Sequence, residues 1–190
     1  MKIIKRLVAV NNKCAWPNLT LMPDGAIVAT IFGEPTHGRW EGDVECWQSK
    51  DDGKTWSLVG IPAPHEPSTN RMNVAAGLAH NNDLLVISSG WSDRPAPPPE
   101  GEPLSPHEGH TLFPWVCRSK DGGKTWERNE NIEIPEELEN ITPFGDIVKI
   151  GENKLAFGAY HSYAEFHNDN VNKSSSFDQN TNTPTITYLF

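Results

Sequence analysis

The chain has 190 residues, a net charge of −9 at neutral pH, 16 prolines, 15 glycines and 7 tryptophans. This length is enough to bury one core, and the acidic balance argues against a nucleic-acid partner, which would require a basic face. No segment approaches the ~20 apolar residues of a membrane span. The many Pro and Gly residues, with aromatic residues between them, indicate short strands joined by turns.

Residues 1–10 contain an apolar run that follows Lys5 and Arg6. The run is shorter than the ~7–15 residues of a signal-peptide core. We therefore interpret residues 2–10 as an edge strand and expect a cytoplasmic protein by default. The cysteines are odd in number and lack metal-ligand spacing, so we expect buried thiols and neither a cofactor nor a bound metal; they are Cys14, Cys46 and Cys117.

Further along the chain, a pattern of two strands joined by a short polar turn occurs three times. Residues 19–33 align with residues 76–90 without a gap, and residues 147–160 give a third copy. Each copy reads as a strand, a tight turn and a return strand. The pattern predicts a chain built from repeated antiparallel units.

The first two units continue into a second hairpin with a nearly identical turn. Residues 49–56 read Ser-Lys-Asp-Asp-Gly-Lys-Thr-Trp, and residues 119–126 differ from them at one position. The Asp can accept hydrogen bonds from backbone N–H groups, Gly supplies a positive φ, and Thr and Trp suit the start of a return strand. We call these segments the repeated turns and assign to structure Ser49, Asp51, Gly53, Thr55, Trp56, Ser119, Asp121, Gly123, Thr125 and Trp126.

The repeated turns resemble the Asp box, or BNR repeat, of the sialidase (neuraminidase) superfamily, which reads Ser/Thr-x-Asp-x-Gly-x-Thr-Trp. The resemblance implies an all-β fold, a β-propeller of four-stranded antiparallel blades that is six-bladed when complete. Residues 14–62 and 71–134 would form two blades, and residues 141–190 would form part of a third. We therefore expect about two and a half blades, the N-terminal portion of a longer propeller.

In such a blade, the connections between the second and third strands emerge at the end opposite the repeated turns. These connections are long here, at residues 34–42, 91–111 and 162–184, and long loops on a rigid scaffold are common binding sites. The first holds an imidazole, a guanidinium and carboxylates, which suit acid–base chemistry. We predict catalytic roles for His37, Asp43 and Glu41, and substrate-binding roles for Arg39, Trp16, Glu34, Arg71, Trp91, His110 and His161.

The family resemblance also implies an activity, the hydrolysis of a terminal sialic acid. In that family three arginines bind the sugar carboxylate, a Tyr backed by Glu is the nucleophile, and a loop Asp is the acid/base. Ala15 stands in the place of the first arginine, and Glu34 in the place of a later one. Both differences remove positive charge, which Arg39 and Arg71 could restore.

We therefore expect a glycan-active enzyme, an exo-acting glycoside hydrolase or a lyase, whose sugar is not necessarily sialic acid. Its partner would be a carbohydrate, either an oligosaccharide or a glycoconjugate. One alternative is a non-catalytic propeller that binds glycan or protein through Trp16, Trp40 and Trp91, because stacking on a sugar ring requires no acid or base. Another alternative is a structural homologue without activity, which the missing arginines favour.

Overall fold

A computed structural model describes residues 6–96, 109–134, 140–161 and 186–189. All the regular structure in these ranges is β, and they include no helix that could cross a membrane. The strands are β1 (Cys14–Leu21), β2 (Ile27–Phe32), β3 (Val44–Ser49), β4 (Ser57–Ala63), β5 (Asn70–Leu78), β6 (Leu84–Trp91), β7 (Trp115–Ser119), β8 (Glu127–Asn129), β9 (Ile141–Ile150), β10 (Lys154–His161) and β11 (Ile186–Leu189).

The strands form two sheets. The first has the order β1-β2-β3-β4 and is antiparallel throughout. The second has seven strands in the order β11-β10-β9-β5-β6-β7-β8, in which β5 pairs with β9 in parallel and all other pairs are antiparallel. The second sheet therefore contains two antiparallel units, β5–β8 and β9–β11, joined through their first strands. The protein is all-β and forms a partial β-propeller, as the sequence predicts.

The edge strand predicted for residues 2–10 is wrong over residues 6–10, the part of it that the structure describes. The chain bends at residues 9–12, where Asn12 has a φ of 58°. The first strand begins at Cys14, whose N–H donates to the carbonyl of Glu34 at 2.8 Å. An apolar run is not sufficient for a strand, because a strand also needs a neighbouring strand to pair with. The described residues 6–10 are not part of a strand.

Each repeated turn is closed by the carboxylate of its Asp. In the first turn, Asp51 Oδ1 accepts from the N–H groups of Lys54 at 3.1 Å and Thr55 at 2.9 Å, and Oδ2 accepts from the Thr55 hydroxyl at 2.7 Å. The Trp56 indole N–H donates to the carbonyl of Gly53 at 3.1 Å. The second turn repeats the same bonds from Asp121 and Trp126.

These contacts correct the prediction that Thr and Trp start the return strand. Both residues belong to the turn, because their polar groups bond back into it, and the strands begin one residue later, at Ser57 and Glu127. The single difference between the turns lies at a left-handed position, where Asp52 has a φ of 59° and Gly122 a φ of 76°. Both Asp and Gly tolerate this conformation.

Three hydrophobic clusters fill the space within and between the units. One joins the first unit to the second through Val44, Ala63 and residues of β5–β7, and Trp126 packs against it. Another joins Val28 and Cys46 of the first unit to Leu84 of the second. The third joins the second unit to the third through Leu85, Ile87, Ile147 and Phe157. Burial on sheet faces thus connects successive units, as expected of propeller blades.

Close backbone contact at Gly60 gives a first prediction. A Cβ added there would lie 2.2 Å from the carbonyl oxygen of Gly123 in the second repeated turn. Gly60→Ala should therefore separate the two units and destabilise the protein by about 1–3 kcal/mol. The measurement is the free energy of unfolding in urea. Gly25→Ala is the control: its φ of 87° adds backbone strain, but its Cβ would meet no atom within 4 Å. Equal losses of stability in the two variants, with unchanged packing of Trp126, would contradict this interpretation.

The turn carboxylates give a second prediction, on pH. Hydrogen bonds from Thr55 lower the pKa of Asp51 from its ordinary value of 3.8 to about 2, and those from Thr125 lower that of Asp121 similarly. Because the folded pKa is below the unfolded pKa, the contribution to stability is present above pH 4 and lost as the pH falls toward 2.

The test follows the urea midpoint from pH 5 to pH 2. The double variant Asp51→Asn/Asp121→Asn should show a smaller decline over this range than the wild type. Asp52→Asn is the matched control, since the Asp52 side chain is 93% exposed. An unchanged decline in the double variant would show that these carboxylates do not contribute to acid sensitivity.

Candidate functional site

The strand registers place the long connections opposite the repeated turns. β2 and β3 pair from Ile27↔Ser49 at the turn end to Phe32↔Val44 at the other end, and β6 and β7 have the equivalent register. The connections after β2 and β6 therefore emerge at the same end of the two units. They touch there, because the Glu41 N–H donates to the carbonyl of Pro95 at 2.9 Å. We call this end the loop face.

Asn70, the first residue of β5, fastens the two connections together. Its side chain is fully buried, and its amide nitrogen donates to the carbonyls of Gly38 at 2.9 Å and Trp40 at 3.1 Å. Its amide oxygen accepts from the Trp91 N–H at 3.1 Å. Sequence reasoning missed Asn70, because nothing in the sequence near it indicates bonds to two distant loops.

A cavity of about 310 Å³ opens at the loop face, between the first strands of the three units. Trp16 of β1 forms one wall, and its side chain is 56% exposed. The Trp16 ring meets the His37 ring edge-on, with centroids 4.5 Å apart, and the Phe144 ring at 6.3 Å. The full lining is Trp16, Met72, Asn73, Val74, Thr142, Pro143, Phe144 and Tyr160.

The backbone at Trp16 is strained in a way that positions the ring. Its φ is 39°, a conformation that bulky residues rarely adopt. The pairing of β1 with β2 shifts register between Cys14 and Asn18, so Trp16 lies in a bulge. Bulges redirect side chains, and left-handed non-glycine residues are concentrated at functional sites. The geometry thus places the Trp16 ring at the cavity, and its substrate-binding role stays a prediction.

The polar groups of the cavity are neutral. Tyr160 is opposite Thr142 in the β9–β10 pair. Burial raises the pKa of the Tyr160 hydroxyl, and a hydrogen bond with Thr142 acts in the other direction. Asn73 adds an amide to the wall. In the described part of the chain, no side chain that lines this cavity carries a charge at neutral pH.

The predicted catalytic residues of the first loop are separated by the structure. His37 is exposed beside Trp16 at the cavity, and Arg39 is exposed nearby on the same loop. The Glu41 carboxylate accepts from the Ser68 N–H. Asp43 Oδ1 lies 2.6 Å from His65 Nδ1 and accepts from the His65 N–H at 2.8 Å. Glu41 and Asp43 thus hold the link that follows β4, whereas the contact shown for His37 is with Trp16.

Glu34 lies half-buried at the base of the same loop. Burial raises the pKa of its carboxyl group, the charge of Lys13 opposes this, and the charges of Glu45 and Asp43 add to it. Lys13 is itself paired with Glu45 at 2.9 Å. The structure therefore places Glu34 within an acidic group at the end of β2, rather than on the cavity wall.

Arg71 does not occupy the place expected of a substrate-binding arginine. Its side chain is 3% exposed, and its guanidinium carbon lies 3.4 Å from the centre of the Trp115 ring. Nη1 donates to the Phe113 carbonyl at 2.9 Å, and Nη2 lies 3.4 Å from Glu66 Oε2. Burial lowers the pKa of this guanidinium. Arg71 therefore packs beneath the surface, because an aromatic ring and a carbonyl from the second unit surround it.

Of the remaining predicted residues, Trp91 ends β6, His161 ends β10, and His110 lies on the second connection. Trp91 is half-buried, with the Arg94 guanidinium 5.7 Å from its ring. His110 is exposed, and its Nδ1 lies 2.9 Å from Ser92 Oγ. The side chain of His161 lies outside the described residues, as does the whole of the third connection. Within the described ranges, no three His, Cys, Asp or Glu side chains are grouped so that they could hold a metal ion.

A second cavity, of about 390 Å³, lies between the second and third units at the other end of the sheets. Its walls include Leu85, Ile87, Val116 and Phe157, which are the packing faces of these units. We therefore do not assign it to the functional site.

Comparison with solved structures identifies the fold. No protein-family model and no curated protein matches the sequence. A protein of unknown function from Dyadobacter fermentans is similar, with 19% identity and a TM-score of 0.57 over 77% of this chain and 46% of its own. NanB sialidase from Streptococcus pneumoniae is also similar, with 10% identity and a TM-score of 0.58 over 84% of this chain and 43% of its own.

The chain therefore spans less than half the length of either structure. At these identities the similarity establishes the fold, a sialidase-like β-propeller, and leaves the activity to be argued from the site. A Trypanosoma rangeli sialidase mutant aligns over 75% of this chain, with 14% identity and a TM-score of 0.47.

The buried amide of Asn70 gives a third prediction. Asn70→Ala leaves two carbonyls and one N–H group without their partner, so it should destabilise the loop face by about 2–4 kcal/mol. Hydrogen exchange at the Trp91 amide should become faster, and the urea midpoint should fall. Asn73→Ala, on the same strand, removes one long bond to Ser89 at 3.3 Å and is the control with the smaller loss. Unchanged exchange at Trp91 in Asn70→Ala would contradict this role.

Proposed function

We propose that this chain contributes the substrate site of a glycan-active enzyme, an exo-acting glycoside hydrolase built on a sialidase-like propeller. The observation that carries the proposal is the cavity walled by the exposed, strained Trp16. Aromatic faces with neutral hydrogen-bonding groups beside them are what a sugar ring requires, since a pyranose has apolar C–H faces and a rim of hydroxyls. The fold similarity to a sialidase supports the same conclusion.

The charge of the site argues for a sugar other than sialic acid. Ala15 replaces the arginine expected before the first strand, and Arg71 is engaged with Trp115 and Glu66 below the surface. The described cavity wall itself has no cation. A sugar carboxylate would lose its hydration there without gaining a charged partner, which is costly. We therefore expect a neutral terminal sugar.

His37 is the acid of the proposed reaction. Its ring is exposed and lies against Trp16, which lines the cavity. An imidazole can give or take a proton near neutral pH, and the oxygen of a leaving sugar needs a proton as its bond breaks. Arg39, exposed on the same loop, can donate hydrogen bonds to sugar hydroxyls.

A non-catalytic glycan-binding propeller is the second candidate. One observation favours it: the described cavity wall includes no carboxylate, whereas most glycosidases place two at the scissile bond. Binding by stacking and neutral hydrogen bonds needs none. The two candidates share the site and differ only in turnover.

A fourth prediction tests both candidates in the full-length protein. Terminal-sugar release is measured over a panel of neutral and acidic aryl glycosides, and binding is measured by calorimetry. Trp16→Ala should weaken binding by about 10- to 100-fold, as expected for removal of a large aromatic contact. His37→Gln should lower kcat by about 10²-fold and leave binding intact.

Controls separate the outcomes. Trp16→Phe should retain most of the affinity, because it keeps an aromatic face. Leu19→Ala removes another exposed apolar side chain from the same strand and should change nothing. Binding without turnover across the panel would establish the second candidate. If Trp16→Ala bound glycans as the wild type does, the cavity would not be the site.

A further inference from the structure

The exposed aromatic side chains of the described chain all lie at one place. Trp16, Phe144 and Tyr160 are 56%, 50% and 46% exposed, and within the described residues no other Trp, Phe or Tyr side chain is exposed. All three line the cavity at the loop face. Exposed apolar surface that is gathered at a concave site is typical of a ligand-binding pocket. Of these three residues, only Trp16 has a role in the proposed function.

Phe144 lies at a bulge of β9, just as the indole of β1 lies at a bulge of its own strand. In the pairing of β9 with β10, Phe157 is opposite Ile147, but the next residue, Gly158, is opposite Phe144. One of the two extra residues on β9 is Gly145, with a φ of 84°. Because Gly158 has no side chain, the position opposite Phe144 does not cover its ring. Bulges redirect side chains, and two separate bulges thus place aromatic rings at one cavity.

The Trp16 and Phe144 rings form a corner. Their centroids are 6.3 Å apart, and their planes are inclined by 78°. A sugar ring that lies flat on Trp16 therefore turns part of its rim toward Phe144. Met72 and Val74, both 7% exposed, line the same cavity from β5. Most of the described lining is thus apolar, so the corner favours an apolar group on the sugar rim.

The polar groups of the described lining are few and partly engaged. Tyr160 and Thr142 are opposite each other across β9 and β10 and share a hydrogen bond. The Asn73 amide nitrogen donates to Ser89 Oγ at 3.3 Å. The cavity volume of about 310 Å³ is at the lower end of the range for ligand pockets, ~300–1,000 Å³. The site therefore suits one sugar ring that has few hydroxyl groups and one apolar side.

We propose that the corner between Trp16 and Phe144 selects a terminal 6-deoxyhexose, whose methyl group on C5 packs against the Phe144 ring. The inference rests on the proposed function and makes Phe144 a specificity-determining residue. A methyl group gains free energy when it leaves water for an apolar wall. The hydroxymethyl group of an ordinary hexose would lose hydrogen bonds to water there without gaining a partner on the ring. A pentose has no group on C5 that could make the contact.

The fifth prediction compares glycosides that differ only at C5, in the full-length protein. Each matched set of nitrophenyl glycosides shares one ring configuration and one anomer, and carries hydrogen, methyl, hydroxymethyl or carboxylate on C5. Binding is measured by calorimetry, so the result does not depend on turnover. In the set that binds most tightly, the 6-deoxy glycoside should bind about 10-fold more tightly than the hydrogen and hydroxymethyl glycosides. The carboxylate should bind most weakly, because the described lining has no cation.

Variants of Phe144 assign the preference to its ring. Phe144→Ala should reduce the preference for the 6-deoxy glycoside to about 2-fold or less, and the urea midpoint should stay within error of the wild type because the side chain is exposed. Phe144→Leu should keep most of the preference, since it keeps an apolar wall. Val148→Ala is the matched control and should keep all of it: Val148 is 49% exposed on the same strand and does not line the cavity. Trp16→Ala should weaken binding of all the glycosides by a similar factor.

The outcomes separate this inference from the proposed function. Equal binding of the 6-deoxy and hydroxymethyl glycosides by the wild type, with binding still sensitive to Trp16→Ala, would overturn the inference and leave the proposed function standing. An unchanged preference in Phe144→Ala would also overturn it, as would tighter binding of a 2-acetamido glycoside, whose methyl group lies beyond an amide. Absence of binding to every glycoside in the wild type would refute the site and the inference together.

Discussion

The bonds from a surface carboxylate to the backbone of its own turn are the local constraint on which the molecule depends. Asp51 and Asp121 each bind two N–H groups and a hydroxyl of their turn. Because these bonds are local, they close each turn within its own eight residues. The closed turn of the second unit can then approach the outer strand of the first unit closely, as the contact between Gly60 and Gly123 shows.

The closed turns also determine which end of the sheets carries the long connections. The end of the sheets that carries the closed turns has little freedom, so the long connections occupy the opposite end and are fastened by polar contacts between units. Asn70 performs this fastening from a fully buried position. The rigid part of the protein is therefore also what holds Trp16 and His37 at one cavity.

Much of this architecture could be predicted from the sequence, because it depends on local sequence patterns. The repeated turns, the strands beside them and the shared end of the long loops all follow from short segments and from the period of the repeat. The substrate-binding role of Trp16 stays a prediction, although the structure places its ring at a cavity. The features that could not be predicted from the sequence depend on contacts between residues far apart along the chain. Arg71 looks available in the sequence, but it stacks on Trp115, which is far from it along the chain. His65 looks like part of a connecting segment until Asp43 is seen beside it. The parallel pairing of β5 with β9 has no counterpart in any local motif.

That parallel pairing places two walls of the cavity on one sheet, whereas the third wall belongs to the other sheet. Met72, Asn73 and Val74 lie on β5, and Thr142, Pro143 and Phe144 lie on β9. These two walls belong to one hydrogen-bonded sheet. β1, which carries Trp16, belongs to the other sheet and is joined to β5 by a side-chain bond from Asn18 to the Val74 carbonyl at 3.0 Å. The width of the cavity is therefore set by how closely the two sheets pack, so a change at the contact between β1 and β5 would alter which ligands fit between Trp16 and the β5–β9 wall.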